Sequence, residues 1–279
     1  MQDIARLIRH IVVGLAATLA IVTPLFFAVA ALGTKFGLWE WQFGLSTLTF
    51  TWGPRLLMAA LALGVIALAM IVIFRVAFGR ANAPTAGGWI AAFAAIAIGA
   101  GGLWYAAQVG ATADELPPIH DISTDRQDPP GFSEALERRR GEESNDLDYA
   151  SKTIPEAVSG RWPDYAGMAV SEAQAEAYPD IQPIALDAEP ERAYEEALAV
   201  ARDLGWHVGA TSPEAMMFEA TAETFWFGFL DDVSVRVTPG EGGGALVDVR
   251  SVSRVGLSDL GANAARIRTF DDRLRARIG

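Results

Sequence analysis

Apolar positions are distributed along this chain in two regimes. From Ile11 to Leu32 no charge interrupts 22 residues, and Leu56 to Phe74 is a second uncharged run, held between Arg55 and Arg75. A third runs from Trp89 to Tyr105 and extends to Val109. A helix needs about 20 apolar residues to cross a bilayer core, so the pattern predicts three transmembrane helices at about 11–32, 56–74 and 89–109. A cleaved signal peptide ending near Ala28-Val29-Ala30 competes for the first run, but the apolar core of such signals is only about 7–15 residues. Between the first two runs, Phe36, Trp39, Trp41, Phe43, Phe50 and Trp52 accompany only two charges. Rings at that density suit the membrane–water interface, so a surface-lying loop is expected, with a re-entrant turn as a variant. A short connector through Arg75, Arg80, Pro84 and Gly87-Gly88 is expected before the third run. The pairs Gly14/Thr18, Ala60/Gly64 and Ala95/Gly99 hint at close helix packing.

After Val109 the periodicity changes. Residues 110–160 read as an extended acidic linker or strap, punctuated by proline at PPIHDISTDRQDPP. Phe132–Arg140 suggests a short helix, Ile119 and Ile122 suit packing onto a folded domain, and GEESNDLDYASKT suits an exposed segment. Residues 161–279 then show regular elements. A short helix is expected at Ser171–Ala177, a strand at Ile181–Leu186 and an amphipathic helix from Pro190 to Leu204, closed by Gly205. Strands follow at Trp206–Thr211, Met216–Phe225, Asp232–Pro239 and Ala245–Val252. The alternation of Val233, Val235 and Val237 fixes the hairpin register with Val237 opposite Val247 and Val235 opposite Val249. That register also sets Arg236 opposite Asp248 as an opposite-charge cross-strand pair. A terminal helix from Ser258 carries Leu260, Ala264, Ile267, Leu274 and Ile278 on one stripe. The class is α+β: three transmembrane helices, then an antiparallel sheet with packed helices in the order β-α-β-β-β-β-α. Residues 1–109, 110–160 and 161–279 form the three regions.

Charge sharpens the division. Residues 1–109 hold six basic and two acidic residues, whereas residues 110–279 hold 16 basic and 32 acidic. An acidic excess of that size argues against nucleic acid as a partner. No cysteine is present, which excludes disulfides and cysteine-based metal sites or nucleophiles. With no ionisable residue inside the apolar cores, an ion path through them is not expected. Arg6, Arg9, Arg75 and Arg80 outnumber Lys35 and Arg55 between the two sides, so the positive-inside rule puts the N-terminus in the cytoplasm. With three spans, residues 110–279 then face the periplasm, in the inner membrane of a bacterium.

The stretch RSVSRVGLSDLGANAARIR, with FGFLDDVSVRV upstream, resembles the signature of the domain of unknown function family 1499 (DUF1499). The resemblance covers about Ile181 to Arg277, and more loosely the chain from Pro117. The family's activity is not established, so the resemblance implies a fold more than a reaction. Soluble members carry a cysteine-containing segment near the domain start, where this chain has PPIHDISTD. No role of that cysteine carries over.

Candidate chemistry gathers where the last strand turns into the last helix: Arg250, Ser253, Arg254, Ser258, Asp259, Asn263 and Arg266. Two readings stay open. One is a hydrogen-bonded knot with Arg254 paired to Asp259; the other is an anion site using spare arginine donors and the helix N-terminus. Asp231, Asp232 and Arg236 are secondary candidates. Adjacent carboxylates on a strand point to opposite faces, and Asp231 and Asp232 are expected to hold backbone donors in a turn. His120, Asp121 and Asp125 have the residue types of a metal site but not the spacing of one, so no metal and no cofactor is expected. Walker, dinucleotide-binding, HExxH and GxSxG motifs are absent. The expectation is a non-enzymatic cell-envelope module in contact with membrane lipid, whose outer domain binds a partner protein, lipid or small ligand. The alternative is a membrane-anchored hydrolase or transferase using the Asp/Arg corner.

Overall fold

A computed structural model describes residues 2–79 and 86–279. It separates into two compact units, Met1–Ala111 with Phe225–Gly228, and Thr112–Thr224 with Phe229–Gly279.

The first unit is helical: α1 (Gln2–Lys35), α2 (Gly53–Phe78) and α3 (Ala86–Glu115). Its helices include three stretches long and apolar enough to cross a membrane, Asp3–Lys35, Phe43–Phe78 and Ala86–Glu115. The expected aromatic loop is a correction. Phe43–Trp52 is a π-helix running straight into α2. Pro54 has no N–H to donate, and the turn before it is widened, with the Gly53 N–H reaching back to the Leu48 carbonyl. Thr49 and Thr51 donate their hydroxyls to the carbonyls of Gly44 and Ser46 at 2.9 and 3.0 Å. The connector is also shorter than expected, since Arg75 lies in α2 and Gly87 and Gly88 lie in α3; Arg80 and Pro84 fall outside the described residues. Close packing holds for two of the three small-residue pairs. A Cβ on Gly64 would meet the Ile96 nitrogen at 2.9 Å, and one on Gly99 the Leu57 carbonyl oxygen at 2.7 Å. Gly14 has nothing within 4 Å of such a position; Thr18 instead donates to its carbonyl at 3.0 Å.

The second unit is a six-stranded antiparallel sheet. Its strands are β1 (Asp121–Ser123), β2 (Ile184–Leu186), β3 (His207–Ser212), β4 (Met217–Glu223), β5 (Leu230–Pro239) and β6 (Ala245–Ser253). The order is β1-β6-β5-β4-β3, with β2 also on the outer edge of β6. β1 takes residues 250–252 of that edge and β2 takes residues 245–247. The hairpin register is the expected one: Val237 faces Val247, Val235 faces Val249 and Arg236 faces Asp248.

Strict alternation gives this sheet two unlike faces. One carries Phe218, Ala220, Val233, Val235, Val237, Val247 and Val249, all buried. It lies under α6 (Pro190–Asp203) and α7 (Ala262–Ile278), whose stripes Ala193, Ala197, Val200 and Ala264, Ile267, Phe270, Leu274 complete the core. Trp206 stacks on Phe270 with centroids 5.4 Å apart. The other face carries Glu219, Asp232, Ser234, Asp248 and Arg250, also buried. Its cover is residues 124–149, which include α4 (Glu134–Arg140). Ser133 caps α4 by accepting from the Leu136 N–H at 3.3 Å, and its own hydroxyl donates to Glu219 at 2.9 Å. Ser234 donates to the Gly131 carbonyl at 2.7 Å. The strap expected around Ile119 and Ile122 is therefore present, with both residues fully buried. It does more than lie on the surface, because β1 is one of its segments. α5 (Val170–Ala177) matches the short helix expected there.

Candidate functional site

The seven residues expected at one corner are divided by the sheet. Ser251 and Ser253 point to the helix-covered face, while Arg250 and Arg254 point to the strap-covered face. Two polar clusters result, one on each side.

The cluster on the helix face centres on Asn263, fully buried in the first turn of α7. Its amide donates to the His120 carbonyl at 3.0 Å and to the Ser253 hydroxyl at 2.9 Å. Its carbonyl oxygen accepts from Ser251 at 2.6 Å and from Arg266 at 2.5 Å. Arg266 also donates to Ser251 at 2.9 Å and pairs with Asp231. Every polar atom of the Asn263 amide is thus used inside the protein.

Asp259 is where the corner departs from expectation. The terminal helix begins at Ala262, not Ser258, and Leu260 and Gly261 before it have positive φ, 53° and 82°. Leu260 consequently leaves the expected apolar stripe and is exposed, and Phe270 takes a place in that stripe. Asp259 does not meet Arg254. Its carboxylate accepts the Gly261 and Asn263 backbone N–H groups, each at 2.8 Å, so it caps α7 in place of the residue at the cap position. Ser258 accepts the Leu260 N–H at 3.2 Å. Burial and the nearby Asp231 charge push the Asp259 carboxyl above its ordinary range, against the two backbone donors that lower it.

On the strap face Asp232 and Asp121 are both completely buried. Arg254 holds Asp232 through two bonds of 2.9 Å, Arg140 adds a third at 2.5 Å and Thr221 a fourth at 2.8 Å. Asp231 and Asp232 do point to opposite faces, but they lie in β5 and each pairs with arginine; the turn role expected of them is not found. Asp121 receives Arg250 through two bonds of 3.0 and 2.9 Å, and Lys152 at 2.7 Å. Arg250 also sits 5.2 and 5.4 Å from the ring centres of Phe132 and Tyr149. Arg236 bridges Asp248 at 3.0 Å and Asp128 at 2.8 Å. Burial opposes ionisation of both Asp121 and Asp232. The hydrogen bonds and charges of Arg250 and Lys152 at the first, and of Arg254, Thr221 and Arg140 at the second, outweigh it and hold each carboxyl below its ordinary range.

These shifts have opposite signs in the pH dependence of stability. Asp121 and Asp232, with depressed folded pKa values, contribute stability that is complete above the unfolded value of about 3.9 and is lost as pH falls through the folded one. Asp259, with a raised folded pKa, contributes below its unfolded value and loses that contribution as pH rises through the folded one. On acidification from neutral pH, Asp259 and Asp248, both with raised folded pKa values, contribute a rise in the unfolding midpoint, His120, with a lowered one, opposes that rise below its unfolded value of about 6.5, and below about pH 4 Asp121 and Asp232 contribute a fall. Denaturation curves from pH 7 to pH 2 check this. Asp259→Asn should flatten the rise and Asp232→Asn should blunt the fall, and a midpoint indifferent to both changes would contradict the assignment.

His120, Asp121 and Asp125 do not converge. His120 donates Nδ1–H to the Leu257 carbonyl at 3.2 Å, and its Nε2 is buried with no hydrogen-bond partner among the described residues. Burial lowers its pKa. Asp121 is turned to Arg250, and Asp125 accepts the backbone N–H groups of Gln127 and Asp128, both at 2.9 Å. Among the polar residues that sequence reasoning missed are Arg140, Asn145 and Lys152. Asn145 donates its amide to the carbonyls of Ser253 and Gly256 at 3.0 and 2.9 Å. All three lie in the stretch from the end of α4 through the acidic run, far along the chain from their partners, where neither periodicity nor spacing gives a signal.

An open depression of about 460 Å³ lies beside this network, lined by Glu137, Arg140, Ser144, Asn145, Asp146 and Asp148. Among its lining residues Arg140 is the single cation, and Asp232 already occupies it.

Compared with known proteins, residues 121–274 match the family described as "Protein of unknown function (DUF1499)". No curated protein matches the chain.

Proposed function

Because the chain belongs to the DUF1499 family, which is defined without an activity, we propose its function from the geometry: a membrane-anchored, non-enzymatic module of the bacterial cell envelope whose outer domain binds a partner protein. The observation that supports this reading is the saturation of the buried carboxylates. Both oxygens of Asp232 and both of Asp121 are engaged by arginine, with lysine or threonine in addition. A general base needs reach to a substrate proton, and an anion site needs uncommitted donors; here both kinds of group are spent on holding the strap to the sheet. What faces outward on that side is the acidic depression around Glu137, Asp146 and Asp148, whose charge suits a basic segment of a partner.

In this reading the chain is a multi-pass protein of the inner membrane, with a cytoplasmic N-terminus and residues 110–279 in the periplasm. A photo-crosslinking residue placed at Asp146 in the full-length protein in living cells tests binding and location together. One discrete adduct is expected, weakened when Glu137 and Asp148 become Lys, with the adducted partner an envelope protein. Absence of any adduct at Asp146 and at neighbouring Glu142 would count against partner binding on this face. An alkaline phosphatase fusion that is inactive at Gly279 but active at Ala83 would reverse the orientation.

A further inference from the structure

The link between β4 and β5 has features that the networks above do not use. Residues 224–230 read Thr-Phe-Trp-Phe-Gly-Phe-Leu, seven positions without a charge in a domain that is otherwise strongly acidic. Phe225 is 73% exposed and Trp226 55% exposed. Their rings meet edge to face with centroids 5.2 Å apart. The turn that carries them is closed on itself: the Thr224 N–H donates to the Phe229 carbonyl and the Phe229 N–H to the Thr224 hydroxyl, both at 2.8 Å. Gly228 supplies the positive φ of 68° that this reversal requires. The aromatic pair is thus presented by a pre-formed turn.

An adjoining pair of large exposed rings marks an interaction surface. Phe225–Gly228 groups with residues 1–111, the unit of apolar helices, although the strands on either side belong to the sheet. Those helices are long and apolar enough to cross a membrane. We propose that the β4–β5 tip is a lipid-binding device, with Phe225 and Trp226 seated at the boundary between headgroups and acyl chains. Aromatic side chains favour that boundary because the ring is apolar while the indole N–H finds a polar neighbour. Tethering makes the contact intramolecular, so a small surface suffices. The contact is apolar in origin: with 32 acidic against 16 basic residues from 110 onward, anionic headgroups add no attraction.

The absence of native cysteine permits a direct test on the full chain. Trp226→Cys, carrying a nitroxide label, is reconstituted in nanodiscs of zwitterionic phosphatidylcholine. Collision rates with oxygen, which concentrates in lipid, and with a water-soluble nickel chelate are then measured. Glu241→Cys, at the opposite end of β5 and exposed, is the aqueous reference. The ratio of oxygen to chelate collisions is expected to be several-fold higher at 226 than at 241, and unchanged when anionic lipid is added. A label at Phe225→Cys should repeat the result, which guards against a local defect at either position, and circular dichroism matching the parent shows that each variant is folded. Equal ratios at 226 and 241 would place the tip in water and overturn the proposal. Low accessibility to both reagents would mean that protein covers the tip, and would overturn it equally.

Discussion

Asp232→Ala is expected to destabilise the sheet domain by about 3–5 kcal/mol, the range for removing one partner from a buried ion pair. The carboxylate is fully buried, and without it the Arg140 side chain, itself only 3% exposed, is left desolvated and unpaired, as in part is Arg254. Thr221 loses its acceptor as well. Urea unfolding of the full chain in detergent, followed by amide exchange in β5 and β6, measures the change. Double variants then map the connections. Asp232→Ala with Arg254→Ala should cost clearly less than the sum of the two, because they share one interaction. Asp259→Ala with Arg254→Ala should be additive within about 0.5 kcal/mol, as expected for residues that share no partner. Non-additivity in this second pair would restore the Arg254–Asp259 contact that the sequence suggested.

Arg250→Ala is expected to fall in the same range, about 3–5 kcal/mol, for a related reason. It leaves Asp121 buried with Lys152 alone, and it empties the space between Phe132 and Tyr149. It also removes the donor to the Leu147 carbonyl at 2.7 Å. Arg250→Lys should recover only part of the loss. A single ammonium does not reproduce the paired 3.0 and 2.9 Å bonds to the two oxygens of Asp121, and it stacks less well between rings. The readout is again exchange in β6, with protease sensitivity of residues 124–149 added. Cleavage there is expected to rise in both variants; full recovery by lysine would show that charge alone, and not the guanidinium fork, fastens the strap.

The difference between these networks and the sequence reading has a physical origin. The valines of β5 and β6 could be placed because a slip of one residue exposes all of them at once, and Arg236 opposite Asp248 followed from the same constraint. α6 was legible from Pro190 at its start and Gly205 after its end. The start of α7 was not, because Leu260 adopts a positive φ that no local signal announces, and this displaces the cap to Asp259. Two of the seven corner residues, Arg250 and Arg254, lie on the other side of the sheet from Ser253, Asn263 and Arg266, although alternation along the strand already separates them. Asp121 and Arg140 as partners were beyond reach, since each meets an arginine or aspartate about a hundred residues away and no periodicity encodes such a pairing.

The placement of β1 and β2 on the outer edge of β6 has a consequence in time. β1 is the first strand to be synthesised and β6 the last, with Asp121 paired to Val252. At about 5–20 residues per second, a ribosome that has just made Asp121 takes roughly 10 s to reach its neighbour. Through that interval β1 lacks its neighbour β6 and Asp121 lacks Arg250, while β3, β4 and β5 can already pair. The Asp121–Arg250 pair and the Arg254 bonds to Asp232 can therefore form only after β6 has been made, whereas the Arg140 and Thr221 bonds to Asp232 join residues that precede it. A chain truncated before Arg250 would keep its three apolar runs and lose the means to close its sheet.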